Sequence, residues 1–208
     1  MVPEASTRYF PDLSGITLPK TGKGKITFQK LLQAAEDVFG EKGYHDASVV
    51  EVTMRAGVAQ GTFYVYFKGK KDIFTQLIIH LHHDVRKSIQ QEIASCPSRL
   101  EEETCGITVF FQYLHKHANL YKILRDAESV DENLYRWYYQ SFADGYVKRL
   151  QKAMAKGEVR QTDPEALAYC LMGIGTFTAM RWPGWEGRMP PGPFLDGVKD
   201  FIKRALAV

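Results

Sequence analysis

The sequence predicts an all-α fold of roughly nine helices, a small helix-turn-helix head followed by a larger helical body, and three observations carry this. Apolar residues recur at three- and four-residue spacing along almost the whole chain, and no segment alternates every second residue as a half-buried strand would. Gly157, Asp163-Pro164 and the Pro- and Gly-rich run from Pro183 to Pro193 separate the later periodic segments. The run from Ser48 to Lys70, SVVEVTMRAGVAQGTFYVYFKGK, reads as two short amphipathic helices broken at Ala56-Gly57-Val58.

At 208 residues and 45% hydrophobic content the chain can bury a sizeable core, which excludes global disorder. The longest apolar stretch, Ala166 to Met180, is interrupted by glycine and threonine and is too short to span a bilayer. The amino terminus lacks a charged region followed by an apolar one, so the expectation is an unprocessed cytoplasmic chain with no membrane partner. Cys96, Cys105 and Cys170 have neither CxxC nor zinc-finger spacing, which favours reduced thiols over metal ligands.

The net charge of +3 is unevenly distributed. Lys20 to Lys71 holds nine basic against five acidic residues, a surplus of +4 that leaves the remainder at −1. That asymmetry fits a cationic head on a near-neutral body.

Residues 1–22, with Pro3, Pro11, Gly15, Pro19 and Gly22, read as a flexible arm ending in Lys20, Lys23 and Lys25. The head then spans 23–71 and the body 72–208. Thr27 is the expected N-cap of a first helix whose Leu31, Ala34, Ala35, Val38 and Phe39 form one face, stopped at Gly43. Ser48 caps a second helix to Arg55, with Val49, Val52 and Thr53 facing inward, and Gly57 permits the reversal into a short third helix, Gln60 to Tyr66.

Lys70 opens a long fourth helix with Ile73, Leu77, Leu81 and Val85 in register, ending before Pro97. Further helices are expected at about 100–117, 120–127, 131–156, 164–182 and 193–207, the last two separated by the Pro- and Gly-rich run from Pro183 to Pro193.

The first turn of the third helix carries groups suited to a DNA groove. Gln60 can bond adenine in a bidentate fashion, Gly61 allows close backbone approach, and Thr62 offers a methyl to thymine and a hydroxyl to phosphate. Tyr64 and Tyr66 end in hydroxyls that match phosphate oxygens, and Lys70 adds a cation to the amino terminus of the fourth helix. Phe63 and Phe67 read as core.

The run AGVAQGTFYVYFKGKKDIF, preceded by FGEKGYHDASVVEV, resembles the DNA-binding head of TetR-type regulators over about Thr27 to Phe74. The resemblance implies a homodimer on a two-fold-symmetric operator in double-stranded DNA. It places Ser48, Gln60, Gly61, Thr62, Tyr64, Tyr66 and Lys70 where family members touch DNA, and Thr27 joins this DNA-binding set. Where some relatives carry a polar base reader early in the second helix, this chain has Val50.

The body is rich in aromatic residues, which suggests an apolar cavity. Register on helices facing the fourth selects Phe111, Tyr113, Leu114, Tyr138, Phe142, Met172 and Thr176 as ligand-binding candidates. A hydrophobic or aromatic effector is expected, a fatty acyl compound being one candidate because head and length resemble acyl-CoA-responsive members of the family. The resemblance also implies a four-helix dimer interface, for which Phe177, Phe194, Val198, Phe201, Ile202 and Ala205 are the candidates.

No catalytic motif is readable, and no cofactor is implied. His80, His83 and Asp84 share a helix face and form a metal-like constellation, but surface histidines are the expectation and no metal site is assigned. The alternative to a repressor is a helical carrier of apolar ligands that has lost DNA binding; the intact Gln60 to Lys70 segment argues against it.

Overall fold

In the computed structural model, which describes residues 8–208, nine α-helices and one π-helical segment account for the regular structure of the described chain. Among the described residues the only β-pairing is an isolated antiparallel bridge between Ile16 and Phe67. Packing divides the chain into two units. The first is the chain up to His82 together with Asn119–Gln140; the second is His83–Ala118 with Ser141–Val208.

The first unit holds α1 (Gly22–Asp46), α2 (Val49–Ala56), α3 (Gln60–Tyr64), the first part of α4 (Lys70–Ile93), α6 (Leu120–Val130) and the first part of α7 (Glu132–Ala155). Its core is aromatic. Phe28 stacks on Phe67 at 5.1 Å between ring centroids, Phe63 lies 5.4 Å from Phe67, and Phe39 meets Phe74 edge-on at 5.1 Å.

Helix α1 begins earlier than its apolar pattern suggests. Its N-cap is Thr21, whose hydroxyl accepts from the Gly24 amide at 3.1 Å, while Thr27 sits inside the helix and donates to the Lys23 carbonyl. The expected cap at Thr27 is therefore corrected. Gly22 to Lys25 bury nothing, so this first turn leaves no hydrophobic period to read. Gly43 does interrupt the helix, at φ 78°, and one further turn follows to Asp46.

The arm is also fastened where it is described. Thr17 donates to the Tyr66 carbonyl at 2.7 Å, Lys68 donates to the Gly15 carbonyl at 3.1 Å, and Arg136 donates to the Tyr9 hydroxyl at 2.8 Å. Gly15 is buried against Asp72, and a Cβ there would fall 2.0 Å from the carboxylate. The expected flexibility of residues 1–22 thus gives way, from Tyr9 onward, to a strap across the head; residues 1–7 lie outside the described chain.

The second unit contains the rest of α4 and α7, with α5 (Arg99–Lys116), α8 (Pro164–Ala179), the π-helical turn Met180–Glu186 and α9 (Gly192–Leu206). Helix α5 packs on α8 and α9, around a core that includes Ile107, Phe111, Leu114, Leu150, Leu171 and Ile202. Asp163 caps α8 through the Ala166 amide at 2.7 Å, and Pro164 fills the first turn where no N–H is needed.

Pro183 does not end the helical path as expected. The backbone widens into a π-helical turn that buries the proline and closes at Gly187, φ 64°. A wider turn accommodates a residue with no N–H to donate and a ring that would clash in a regular α-helix.

A buried polar network crosses the second unit. Arg99 and Glu103, both almost fully buried, form an ion pair on α5, Arg99 also meets Glu102 at 2.7 Å, and the Tyr146 hydroxyl donates to Glu103 at 3.0 Å. Burial raises the Glu103 carboxyl above its ordinary range, while the Arg99 charge pulls it back. Cys96, Cys105 and Cys170 are free thiols. Among the described residues no cluster of three or more His, Cys, Asp or Glu is placed to hold a metal ion, and no helix is long and apolar enough to cross a membrane.

Candidate nucleic-acid interface

The head is built on a tightly capped α2. The Ser48 hydroxyl accepts from the Glu51 amide at 3.2 Å while the Glu51 carboxylate accepts from the Ser48 amide at 3.0 Å, a reciprocal capping box. Gly57, at φ 65°, then reverses the chain, and its amide bonds back to the carbonyls of Met54 and Thr53. Helix α3 has only five residues, too few to be stable alone. What holds it is Phe63, fully buried, and Phe67 just after it.

With Phe63 turned inward, the other residues of α3 are displayed. Gln60, Gly61 and Tyr64 are exposed, Thr62 is half-buried, and space is open where a Cβ on Gly61 would point. Tyr64 is 55% exposed and Val65 60%, an uncommon expenditure of apolar surface on a water-facing edge. Val50 and Met54 on α2 are likewise exposed, at 48% and 75%. Val65 and Met54 were not expected from sequence; their signal was an apolar residue off the core register of each short helix.

Three expected contacts change character. Ser48 directs its hydroxyl to Glu51, so its role in the structure is that of a cap. Tyr66 is half-buried, its ring edge-on to Phe28 at 5.5 Å and its hydroxyl close to Gly24 in the first turn of α1. Lys70 is the most heavily engaged of the three.

The Lys70 ammonium donates to the carbonyls of Tyr44, His45 and Ala47 at 2.7, 3.0 and 2.9 Å and sits 4.6 Å from the centre of the Tyr44 ring. An ammonium has three N–H donors. All three are committed within the head, so the side chain is a clasp on the α1–α2 connection and cannot reach a phosphate at the same time. What remains at this position for an anion is the amino terminus of α4 itself.

The surplus of charge is similarly redistributed. Lys42 pairs with Glu51, Arg55 forks onto Glu41 at 2.5 and 2.8 Å, and Lys71 reaches Asp131 at 2.9 Å. These partners hold the carboxyls of Glu51 and Glu41 below the ordinary range. Lys20 is exposed just before α1, Lys23, Lys25 and Lys30 are exposed along its amino-terminal part, and Lys68 is exposed beside α3.

Residues 31–77 match the family model described as bacterial regulatory proteins, tetR family. The chain is 29% identical over 199 residues to the uncharacterized HTH-type transcriptional regulator YvdT of Bacillus subtilis, covering 91% of this chain and 98% of that protein. This chain is a member of the TetR family. It is a DNA-binding transcriptional regulator of the helix-turn-helix class.

Within the family, the fatty acid metabolism regulator protein of Bacillus subtilis is 29% identical over 131 residues, covering 62% of this chain and 67% of that protein. The TetR-type fold is shared with the solved structure of the regulator FadR of Bacillus subtilis in complex with stearoyl-CoA. The TM-score is 0.74 at 20% identity, over 86% of this chain and 98% of that one. FadR of Bacillus halodurans superimposes with TM-score 0.76 at 20% identity, over 89% and 96%.

The ligand-binding candidates of this TetR-family body fall in both units. Tyr138 lies in the first, buried, its ring 5.4 Å from His82 and 5.2 Å from Tyr139. Phe111, Tyr113, Leu114, Phe142, Met172 and Thr176 lie in the second. Phe111, Tyr113 and Leu114 are buried, and Tyr113 stacks on His117 at 4.3 Å.

Three of the dimer candidates, Phe194, Val198 and Phe201, line one surface. An open, almost purely apolar groove of about 480 Å³ between α8 and α9 is lined by Ile174, Thr178, Pro193, Phe194, Val198 and Phe201 among others. Phe177 is 70% exposed and Phe201 61%, whereas Val198 and Ile202 are buried and Phe194 and Ala205 are half-buried.

Proposed function

We propose that this TetR-family regulator is a homodimeric repressor that binds a two-fold-symmetric operator in cytoplasmic double-stranded DNA and is released by a hydrophobic or aromatic small molecule, with a fatty acyl compound as the leading candidate. The observation that carries the reading is the division of labour in α3. Phe63 anchors it while Gln60, Gly61 and Tyr64 are left facing water on a helix too short to have any other purpose. Among the neighbours named above, one protein is called a fatty acid metabolism regulator and one structure holds stearoyl-CoA; these support the choice of effector class.

The test is fluorescence anisotropy with fragments from the upstream region of the protein's own gene. Gln60→Ala is expected to narrow the gap between specific and random duplexes by about 1–3 kcal/mol, the worth of one bidentate base contact. Tyr64→Phe is expected to weaken both duplexes together, as loss of a phosphate contact does. Two variants with wild-type binding would remove α3 from the interface.

Dimerisation rests on Phe177 and Phe201. Phe201 lines the apolar groove, Phe177 shares α8 with its lining residues Ile174 and Thr178, and exposed apolar side chains of this size form a self-complementary patch when repeated about a two-fold axis. Phe201→Glu places a charge at the centre of that patch, and light scattering is expected to report a monomer. A dimer that survives this substitution would locate the interface elsewhere. The proposed mechanism is a shift between two dimer states in which the effector favours the one whose heads no longer fit successive major grooves; release is limited by its differential affinity for those states.

A further inference from the structure

Arg86 on α4 and Arg149 on α7, both in the second unit and both half-buried, are cations that no carboxylate meets within ion-pair distance among the described residues. The Arg86 guanidinium lies over the Phe142 ring, 6.0 Å from its centre, and makes one long hydrogen bond, 3.4 Å, to the Ser141 carbonyl. It rests against the α7 backbone at Gly145, where a Cβ would come within 3.2 Å of Nη2. Arg149 lies over Tyr146, 5.4 Å from the ring centre.

Their charged surroundings are unusual. The charge acting on Arg86 is that of Arg149, and repulsion adds to partial burial in lowering its affinity for a proton. The nearby carboxylate, Glu103, attracts Arg149 from a distance but is held by Arg99 and by the Tyr146 hydroxyl. Neither Arg86 nor Arg149 is in an ion pair among the described residues. Two partly desolvated guanidinium groups that repel each other, with the one nearby carboxylate committed to a third, are relieved when an anion joins them.

We propose that Arg86 and Arg149 form an anion-binding site for the head group of the effector, a carboxylate or phosphate at the end of an apolar chain. Guanidinium forks match both oxyanions in planar, two-point geometry, and partial exclusion of water strengthens such bonds. Phe142, beneath Arg86, would meet the first apolar atoms behind the head group. The site rests on the ligand-responsive reading above and narrows it: the effector is an organic anion, and a neutral chain of equal length is a poor one.

The experiment uses the full-length protein, with isothermal titration of palmitate, palmitoyl-CoA and the neutral hexadecanol, and with thermal melting in inorganic pyrophosphate. Wild type is expected to bind at least one anionic chain about tenfold or more tightly than Arg86→Gln or Arg149→Gln does, with hexadecanol weak and unchanged in all three. Palmitate alone would identify a carboxylate head, and palmitoyl-CoA alone a phosphate. Retention of wild-type affinity for both anions by both variants overturns the site, as does equal binding of hexadecanol and the anions.

If none of the three chains binds, the acyl reading of the effector fails, and pyrophosphate decides the site independently. A rise in wild-type melting temperature that is lost in Arg86→Gln supports it; no rise overturns it. Arg86→Lys keeps the charge but not the fork, so partial recovery of anion binding separates recognition from a folding defect. Melting of each ligand-free variant within a few degrees of wild type makes the comparison valid.

Discussion

Lys70→Met is expected to destabilise the protein by about 2–4 kcal/mol, because three backbone carbonyls lose a charged donor and only part of that loss is recovered from water. The carbonyls belong to Tyr44 and His45 in the last turn of α1 and to its C-cap Ala47. Methionine retains much of the stem, so the Tyr44 ring keeps a packing partner and the effect isolates the ammonium. Urea unfolding measures it, with Lys68→Met as control: Lys68 is exposed, and its removal is expected to change stability by less than about 0.5 kcal/mol. Equal stability of the two variants would return Lys70 to the surface and restore it as a phosphate contact.

The second large effect is expected at Arg99. Arg99→Met leaves Glu103 buried with the Tyr146 hydroxyl as its remaining close partner, and stranding a buried charge costs about 3–5 kcal/mol. The sign of the pH dependence follows from linkage. Glu103 already has a folded-state affinity for protons above that of the unfolded chain, and loss of Arg99 raises it further. A carboxyl raised in the folded state stabilises below its unfolded value and loses that contribution as pH rises through the folded one.

The deficit of Arg99→Met relative to wild type is therefore largest at alkaline pH and shrinks toward acid, where Glu103 takes up a proton. Guanidinium chloride unfolding at several pH values measures it. Arg99→Met combined with Glu103→Leu is expected to recover most of the loss, since a buried pair replaced whole by apolar groups is close to neutral. A deficit that does not vary with pH would remove Glu103 as its cause.

These two residues also show where the sequence could and could not be read. The head was legible because its signals are local: Ser48 with Glu51 three residues on, Gly57 at the reversal, Phe63 and Phe67 at core spacing. Lys70 was not, because a lysine beside a helix start suits a phosphate and a set of carbonyls equally, and only the position of the α1–α2 connection decides between them. The start of α1 was misplaced because Gly22 to Lys25 bury nothing, and the path past Pro183 because a π-helical turn leaves no periodic trace. The body is legible as helices but not as a site. Which faces of α5, α7 and α8 look inward depends on neighbours distant in sequence.

Gly40 and Gly43 near the end of α1 lie under α6. The Asn119 side chain fills the space over Gly40, Lys122 donates to the Gly40 carbonyl at 3.2 Å, and Asp126 takes the Tyr44 amide at 2.7 Å just past the left-handed glycine. Helix α1 thus borrows its terminal satisfaction from residues some eighty positions downstream. A fragment truncated after Lys71 would strip that cover from α1 and orphan the Tyr44 donor, so the DNA-reading portion is not an autonomous folding module, and α1 and α6 should exchange their amide hydrogens as one cooperative block.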